Sequence, residues 1–225
     1  MIPSVRPEDV VQAACFVSDL LVNETDKDWT VPAGTLEWDV RHTLVHVANA
    51  LAKYSLSLSS RTARAIVLSS QAYPDANNID LLHALSATSE SLAFVAESAV
   101  VGARGFHPFG MADAEGFIAM GCGEILVHGA DVAAGLGLSF SPPDSLCRRV
   151  VSRVFPWAPE DTAGWDTLLW ATGRKELSGH KLEPQWSWYC APLREWDGTI
   201  PRWSPPLPTE YVVDGTSGGW KPRTD

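Results

Sequence analysis

The chain is short of positive charge. Seventeen lysines and arginines stand against 27 aspartates and glutamates, a net charge of −10 over 225 residues. Nucleic acid and anionic membrane surfaces both repel such a chain, and no long basic run offsets the balance. Cysteine is sparse and scattered. Cys15, Cys122, Cys147 and Cys190 lie far apart with no C-x-x-C pair, which excludes a readable thiolate metal cage or a thioredoxin-like motif. The opening MIPSVRPEDVV lacks the basic start and apolar core of a secretory signal. No apolar run reads as long enough to cross a bilayer, which takes roughly 18 residues. There is no internal repeat and no low-complexity tract. A reducing cytoplasm is the expected setting.

What is present suits a globular fold. Hydrophobic residues make up 45% and charged residues 20%, and the length allows one generous domain or one domain with an elaborate tail. Helical periodicity dominates up to about residue 140. Pro7, Glu8 and Asp9 suit a first helical turn, and that helix is expected to reach about Leu21. A second is expected from about Trp38 to Ser59, a third from Ile79 to Val100 after Asn77-Asn78, and a fourth from Asp113 to Ala134. The last should stop at Gly135 or Gly137 in a left-handed turn. GARGFHPFG, between the third and fourth, reads as a loop. Four such helices predict an all-α fold, an antiparallel four-helix bundle over residues 1–140.

Residues 141–225 differ. Leu146–Phe155 and Thr162–Ala171 read as short helices. Beyond Gly173 the chain is rich in Trp and Pro: eight of the ten tryptophans and nine of the sixteen prolines lie after residue 150. Disordered tails lack aromatics, so this tail is expected to pack on the bundle in largely extended form.

The fourth helix carries the chemistry. Glu124, His128 and Asp131, in GEILVHGADVA, fall at i, i+4 and i+7 on one face of an otherwise apolar helix. Burying such groups without partners costs several kcal/mol. Two readings stay open at this point. One is a satisfied polar cluster or a solvated stripe beside a groove. The other is a metal site in which Glu124 and His128 bind one cation and Asp131 orients His128, with a third ligand from elsewhere. On the second helix Val40, Leu44, Val47, Leu51 and Leu58 define the core face, and Asp39, His42, His46, Asn49 and Lys53 the opposite stripe. That stripe reads as solvent-facing unless the Trp-rich tail roofs it over. His83, His107 and His180 suit surface or capping duty. Cys122 lies on a different face from Glu124 and is not expected to be a ligand.

WDVRHTLVHVANAL and, much later, GEILVHGADVAAGLG resemble the N-terminal metal-binding domain of the mycothiol-dependent maleylpyruvate isomerase-like family, within the DinB-like four-helix superfamily. The resemblance spans roughly residues 8–140 and rests on Trp38 and His46, then Glu124, His128 and Asp131. It implies a divalent metal, usually zinc, held by His46, Glu124 and His128; such a donor set also accepts nickel, iron or manganese. The tail, with DTLLWATGR and WSWYCAPLREWDGTIPRW, is similar to that of many isomerase-like proteins but departs from the isomerase itself. There a separate α/β domain contributes a functional arginine, and here only residues 165–225 follow Gly164. Arg174, in LLWATGR, is the candidate for that role. Position 130 is Ala where the family commonly has an aromatic.

Two nitrogens and one carboxylate leave a zinc ion with an open position, as in catalytic sites. The resemblance implies that mycothiol or another low-molecular-weight thiol takes it and becomes a nucleophilic thiolate. The expected activity is a thiol-dependent isomerase or S-transferase acting on a small electrophilic metabolite. A lyase, hydrolase or cyclase using water is the first alternative, and a non-catalytic small-molecule-binding module the second. His42 and Asp39 are candidate proton shuttles beside the metal. Trp186, Trp188, Trp196 and Trp203 either line a substrate pocket or pack the tail. Arg194 and Arg202 either bind a substrate carboxylate or pair with Glu195 and Asp197. The chain is expected to act as a monomer or homodimer.

Overall fold

The computed structural model describes residues 4–66, 68, 70–182, 186–201, 211–213 and 220–222, the last two stretches as strand backbone. Arg202 and Trp203 lie outside the described residues. The protein is mostly helical. Helix α1 spans Pro7–Leu21, α2 Val40–Ser60, α3 Asn78–Glu97, α4 Ala114–Gly135, α5 Asp144–Val154 and α6 Gly164–Ala171. Two antiparallel strand pairs accompany them: β1 Arg104–His107 with β2 Gly110–Asp113, and β3 Tyr211–Val213 with β4 Trp220–Pro222.

Side-chain caps set the helix starts. Asp9 accepts the Arg6 N–H at 2.9 Å at the head of α1. Helix α2 begins at Val40 rather than Trp38 because Asp39 is its cap and accepts the His42 N–H at 2.7 Å. Asn77 and Asp80 cap α3 reciprocally, at 2.9 and 3.0 Å, and Asp113 accepts from Gly116 at the head of α4. Each carboxylate or amide satisfies an amide that has no helical partner. At its far end α4 stops where Gly137 turns left-handed, φ +70°, as the sequence predicts.

Helices α1 and α2 each pack on both α3 and α4, and α4 also meets α5 and α6. Helix α4 is therefore central, with Phe117, Ile118, Met120, Ile125 and Leu126 almost fully buried. This placement corrects the reading that no segment is apolar and long enough for a bilayer. Among the described residues α4 alone passes that test, and most of it lies inside the fold. A core helix and a membrane span call for the same composition. The apolar core continues past residue 140: Leu146, Val150, Phe155, Leu168 and Trp188 belong to the same buried cluster as α1–α4.

GARGFHPFG is not a plain loop. Its middle forms the β1–β2 hairpin, with Arg104 opposite Asp113 and His107 opposite Gly110, so the fold is not all-α. Strands this short are masked in the sequence by glycine and proline. Gly105 explains the docking: a Cβ there would lie 2.2 Å from the Ser57 carbonyl oxygen on α2. Gly105→Ala should accordingly destabilise the protein by about 1–3 kcal/mol, because the obstacle is backbone and cannot rotate away. Chemical denaturation measures this, and an unchanged midpoint would show that the hairpin docks loosely.

The described tail packs on α4 and α5. The Trp188 ring lies 5.1 Å from Phe155 and 4.8 Å from Trp186, centroid to centroid. A Cβ at Gly123 would come within 2.8 Å of Trp188. Arg153, buried on α5, donates to the Tyr189 and Cys190 carbonyls and pairs with Asp113. Arg149, also on α5, holds the buried Asp9 of α1 through two nitrogens, at 2.6 and 3.1 Å.

Candidate metal centre

His46 lies at the edge of the buried face of α2, 23% exposed, with its ring 4.8 Å from that of Trp38. Of the stripe that reads as solvent-facing, His46 is turned toward α4. Glu124 and His128, one turn apart on that helix, reach it from the interior, and the His46 and His128 rings are 5.1 Å apart.

Glu124 Oε2 stands 3.5 Å from His46 Nε2 and 3.4 Å from His128 Nε2. All three donor atoms lie within 4.8 Å of one another. Donors held at roughly 2.0–2.1 Å by a tetrahedral centre stand about 3.3–3.4 Å apart. The two measured edges fit that spacing, and the donor types suit zinc.

The surroundings aim these atoms. Tyr54, two turns beyond His46 on α2, donates its hydroxyl to Glu124 Oε1 at 3.0 Å, leaving Oε2 to face both imidazoles. Asp131 Oδ2 lies 3.0 Å from His128 Nδ1. A carboxylate only accepts, so Nδ1 carries the proton and Nε2 turns its lone pair toward Glu124. In that tautomer His128 Nε2 and Glu124 Oε2 are two acceptors face to face at 3.4 Å, stable only with a proton or a cation between them. Burial alone would raise the Glu124 pKa, yet His128 and His46 hold it well below the ordinary carboxylate value. Burial likewise opposes a charged His128, but hydrogen bonds with Asp131 and Glu124 prevail and raise its pKa.

Arg174 requires a correction. Its Nη2 and Nε grip the two oxygens of Asp131 at 2.8 and 3.2 Å, and Nη1 donates to the Thr172 carbonyl. Every guanidinium nitrogen is engaged behind His128, so Arg174 is a positioning residue and does not meet a substrate. Arg174→Ala should weaken metal binding about 10–100-fold, the usual effect of losing such a support. A chelator titration reads this, and an unchanged affinity would show Asp131 to be held without it.

His42 and Asp39 also require correction as proton shuttles. Asp39 caps α2 and pairs with His42 Nδ1 at 2.8 Å. His42 is 55% exposed, and neither residue lines the cavity beside the three donors. They are satisfied by each other at a helix end. Trp186 and Trp188 pack the tail, Trp196 lines a separate cleft against α5, and exposed Arg194 pairs with Glu195. Cys122 is buried, and burial pushes its thiol pKa well above the ordinary value.

The cavity beside the donors has a volume of about 170 Å³. Among the described residues its walls come from α2, the α2–α3 connection at Ala65 and Ile66, the hairpin at Phe106–Pro108, and Glu124. Among the described residues, none of the Trp-rich tail, the expected roof, lines it. Three polar residues given no part in the site by sequence reasoning line this space: Tyr54; Lys53, read as solvent-facing; and His107, read as a surface or capping residue but buried. For Tyr54 and Lys53 the signal was available, since they lie eight and seven residues beyond His46. For His107 there was none, because only docking of the hairpin carries it there. Comparison of the chain with protein-family models, with curated proteins and with solved structures finds no match in any of the three.

Proposed function

We propose that this is a metal-dependent enzyme of small-molecule metabolism, with helices α1–α4 as a DinB-like bundle and His46, Glu124 and His128 as the ligands. The observation that supports it is that Glu124 stands at metal-ligand spacing from both imidazoles and all three donors lie within 4.8 Å of one another. Zinc is the first choice for two imidazoles and one carboxylate, and nickel, iron or manganese would also be accepted. When bound, such an ion lowers the pKa of a thiol or water that reaches it. The protein's own residues do the rest. Tyr54 orients Glu124, Asp131 and Arg174 fix the His128 tautomer, and the cavity admits a small electrophile beside them. The proposed activity is isomerisation or S-transfer with mycothiol or another low-molecular-weight thiol as co-substrate.

Cavity size favours a second reading. About 170 Å³ suits a substrate of a few carbons beside the donors. A lyase, hydrolase or cyclase working with water meets that fit without a second bound molecule.

Elemental analysis tests the common core of both. Purified protein should carry about one equivalent of divalent metal, and the His46→Ala, Glu124→Ala, His128→Ala triple variant none. Equal, sub-stoichiometric metal in both would remove the reading. Thermal melting with millimolar thiol separates the two. Metal-dependent protection by mass action supports the thiol enzyme, and its absence supports the water-based one.

A further inference from the structure

The cavity holds two ionisable residues that the metal site does not use. Lys53 lines it from α2, and burial alone lowers its pKa, with no carboxylate partner among the described residues. His107 lines it from the hairpin and is buried. Its Nδ1 accepts the Phe109 N–H at 3.2 Å, so the neutral ring carries its proton on Nε2. Burial pushes its pKa down to about 4, with Glu124 opposing, and the ring is neutral at pH 7.

Asn49, Tyr54 and Glu124, which also line the cavity, are already committed. Asn49 exchanges two hydrogen bonds with the Ser70 backbone, at 2.6 and 2.9 Å. Tyr54 and the two imidazoles take up Glu124. What is left to recognise a ligand is one cation, one neutral imidazole donor and the Ser57 hydroxyl, against apolar walls such as Ala50, Ile66 and Phe106. A half-buried ammonium without a counter-charge is an unfavourable state that an incoming anion relieves.

We propose that this cavity binds a small organic anion, its carboxylate held by Lys53 and a further oxygen by the N–H of His107, with its apolar body against Ile66 and Phe106. The inference deepens the proposed function and rests on it for the reacting atoms, whereas anion binding is read from Lys53 and His107. The substrate is then an electrophile that also carries one carboxylate, and Arg174, bound to Asp131, is not its anchor.

Calorimetric titration of the full chain with benzoate and with its uncharged isostere benzamide tests this, on protein as purified and after chelator treatment. Benzoate should bind at least tenfold tighter than benzamide in both preparations. Lys53→Met, which keeps the packed stem, should remove that preference and leave benzamide unchanged, with Lys53→Gln as a second variant read in the same way. His107→Phe should weaken both probes and His107→Gln should restore them. Equal binding of the two probes, no binding of benzoate, or an unaltered preference in both Lys53 variants would overturn the proposal. So would benzoate binding that vanishes on chelation, since the anion would then be a metal ligand only. Benzoate binding to wild-type protein that never carries metal would uphold the anion site while the metal reading failed.

Discussion

Glu124→Ala should lower the affinity for Zn²⁺ on the order of a thousandfold, the largest effect expected of any single change here. Removing one partner of a buried charge array costs about 3–5 kcal/mol, and roughly 1.4 kcal/mol is tenfold in affinity. The carboxylate is the shared member of the cluster, 3.4 Å from one imidazole and 3.5 Å from the other. It also receives the Tyr54 hydroxyl. Glu124→Gln separates charge from shape, because the amide keeps an oxygen for Tyr54 but carries no charge. It should lose metal nearly as completely while melting close to the wild-type apoprotein. A competitive chelator titration gives the affinities, and a Gln variant that binds like wild type would contradict the ligand assignment.

The same groups set opposite pH trends for the two forms. In the metal-free protein Glu124 is depressed below its ordinary 4.5, so its contribution is present above 4.5 and lost as pH falls through the lower folded value. His128 is raised above 6.5, so its contribution is present below 6.5 and lost as pH rises through the higher folded value. His107, pulled down to about 4 by burial, favours the folded state above 6.5 and loses that contribution as pH falls toward 4. The apoprotein should therefore be most stable near pH 6.5 and melt at lower temperature toward pH 4 and toward pH 8. Metal binding requires a deprotonated His128, so the gap in melting temperature between metal-loaded and metal-free protein should widen over that rise. A gap independent of pH would show that the metal does not displace the His128 proton.

Truncation after Gly173 should give protein that aggregates. It removes Trp188 and Cys190, both almost fully buried, and uncovers Phe155 and the Gly123 face of α4. It also strips Arg153 of the Tyr189 and Cys190 carbonyls, leaving a guanidinium that is 1% exposed short of acceptors. Trp188→Ala is the milder test, at about 3–5 kcal/mol, a large part of a typical domain's stability of roughly 5–15 kcal/mol. Gel filtration and denaturant melts read both. A soluble truncation that melts cooperatively would show the tail to be dispensable for the core.

The helices were legible because their signals are local. Asp39, Asn77 and Asp113 mark helix starts within a residue or two, and the spacing of Glu124, His128 and Asp131 puts them on one face whatever surrounds the helix. The hairpin was not legible. Strands β1 and β2 are four residues each, and what holds them is the close approach of Gly105 to Ser57, 48 positions away. Arg174 was picked out as the candidate functional arginine without a partner, because chain distance says nothing about its meeting with Asp131.

By itself, then, the sequence determined which side chains share a helix face and how each helix begins, since both follow from a period of 3.6 residues and from amides that lack partners at helix ends. Tertiary structure alone decided that His46, in the polar stripe of α2, turns toward α4 while His42 stays exposed. It also decided that, among the described residues, the hairpin and the α2–α3 connection wall the cavity. Those outcomes depend on which faces find mutual burial, a property of the packed whole that no local pattern encodes.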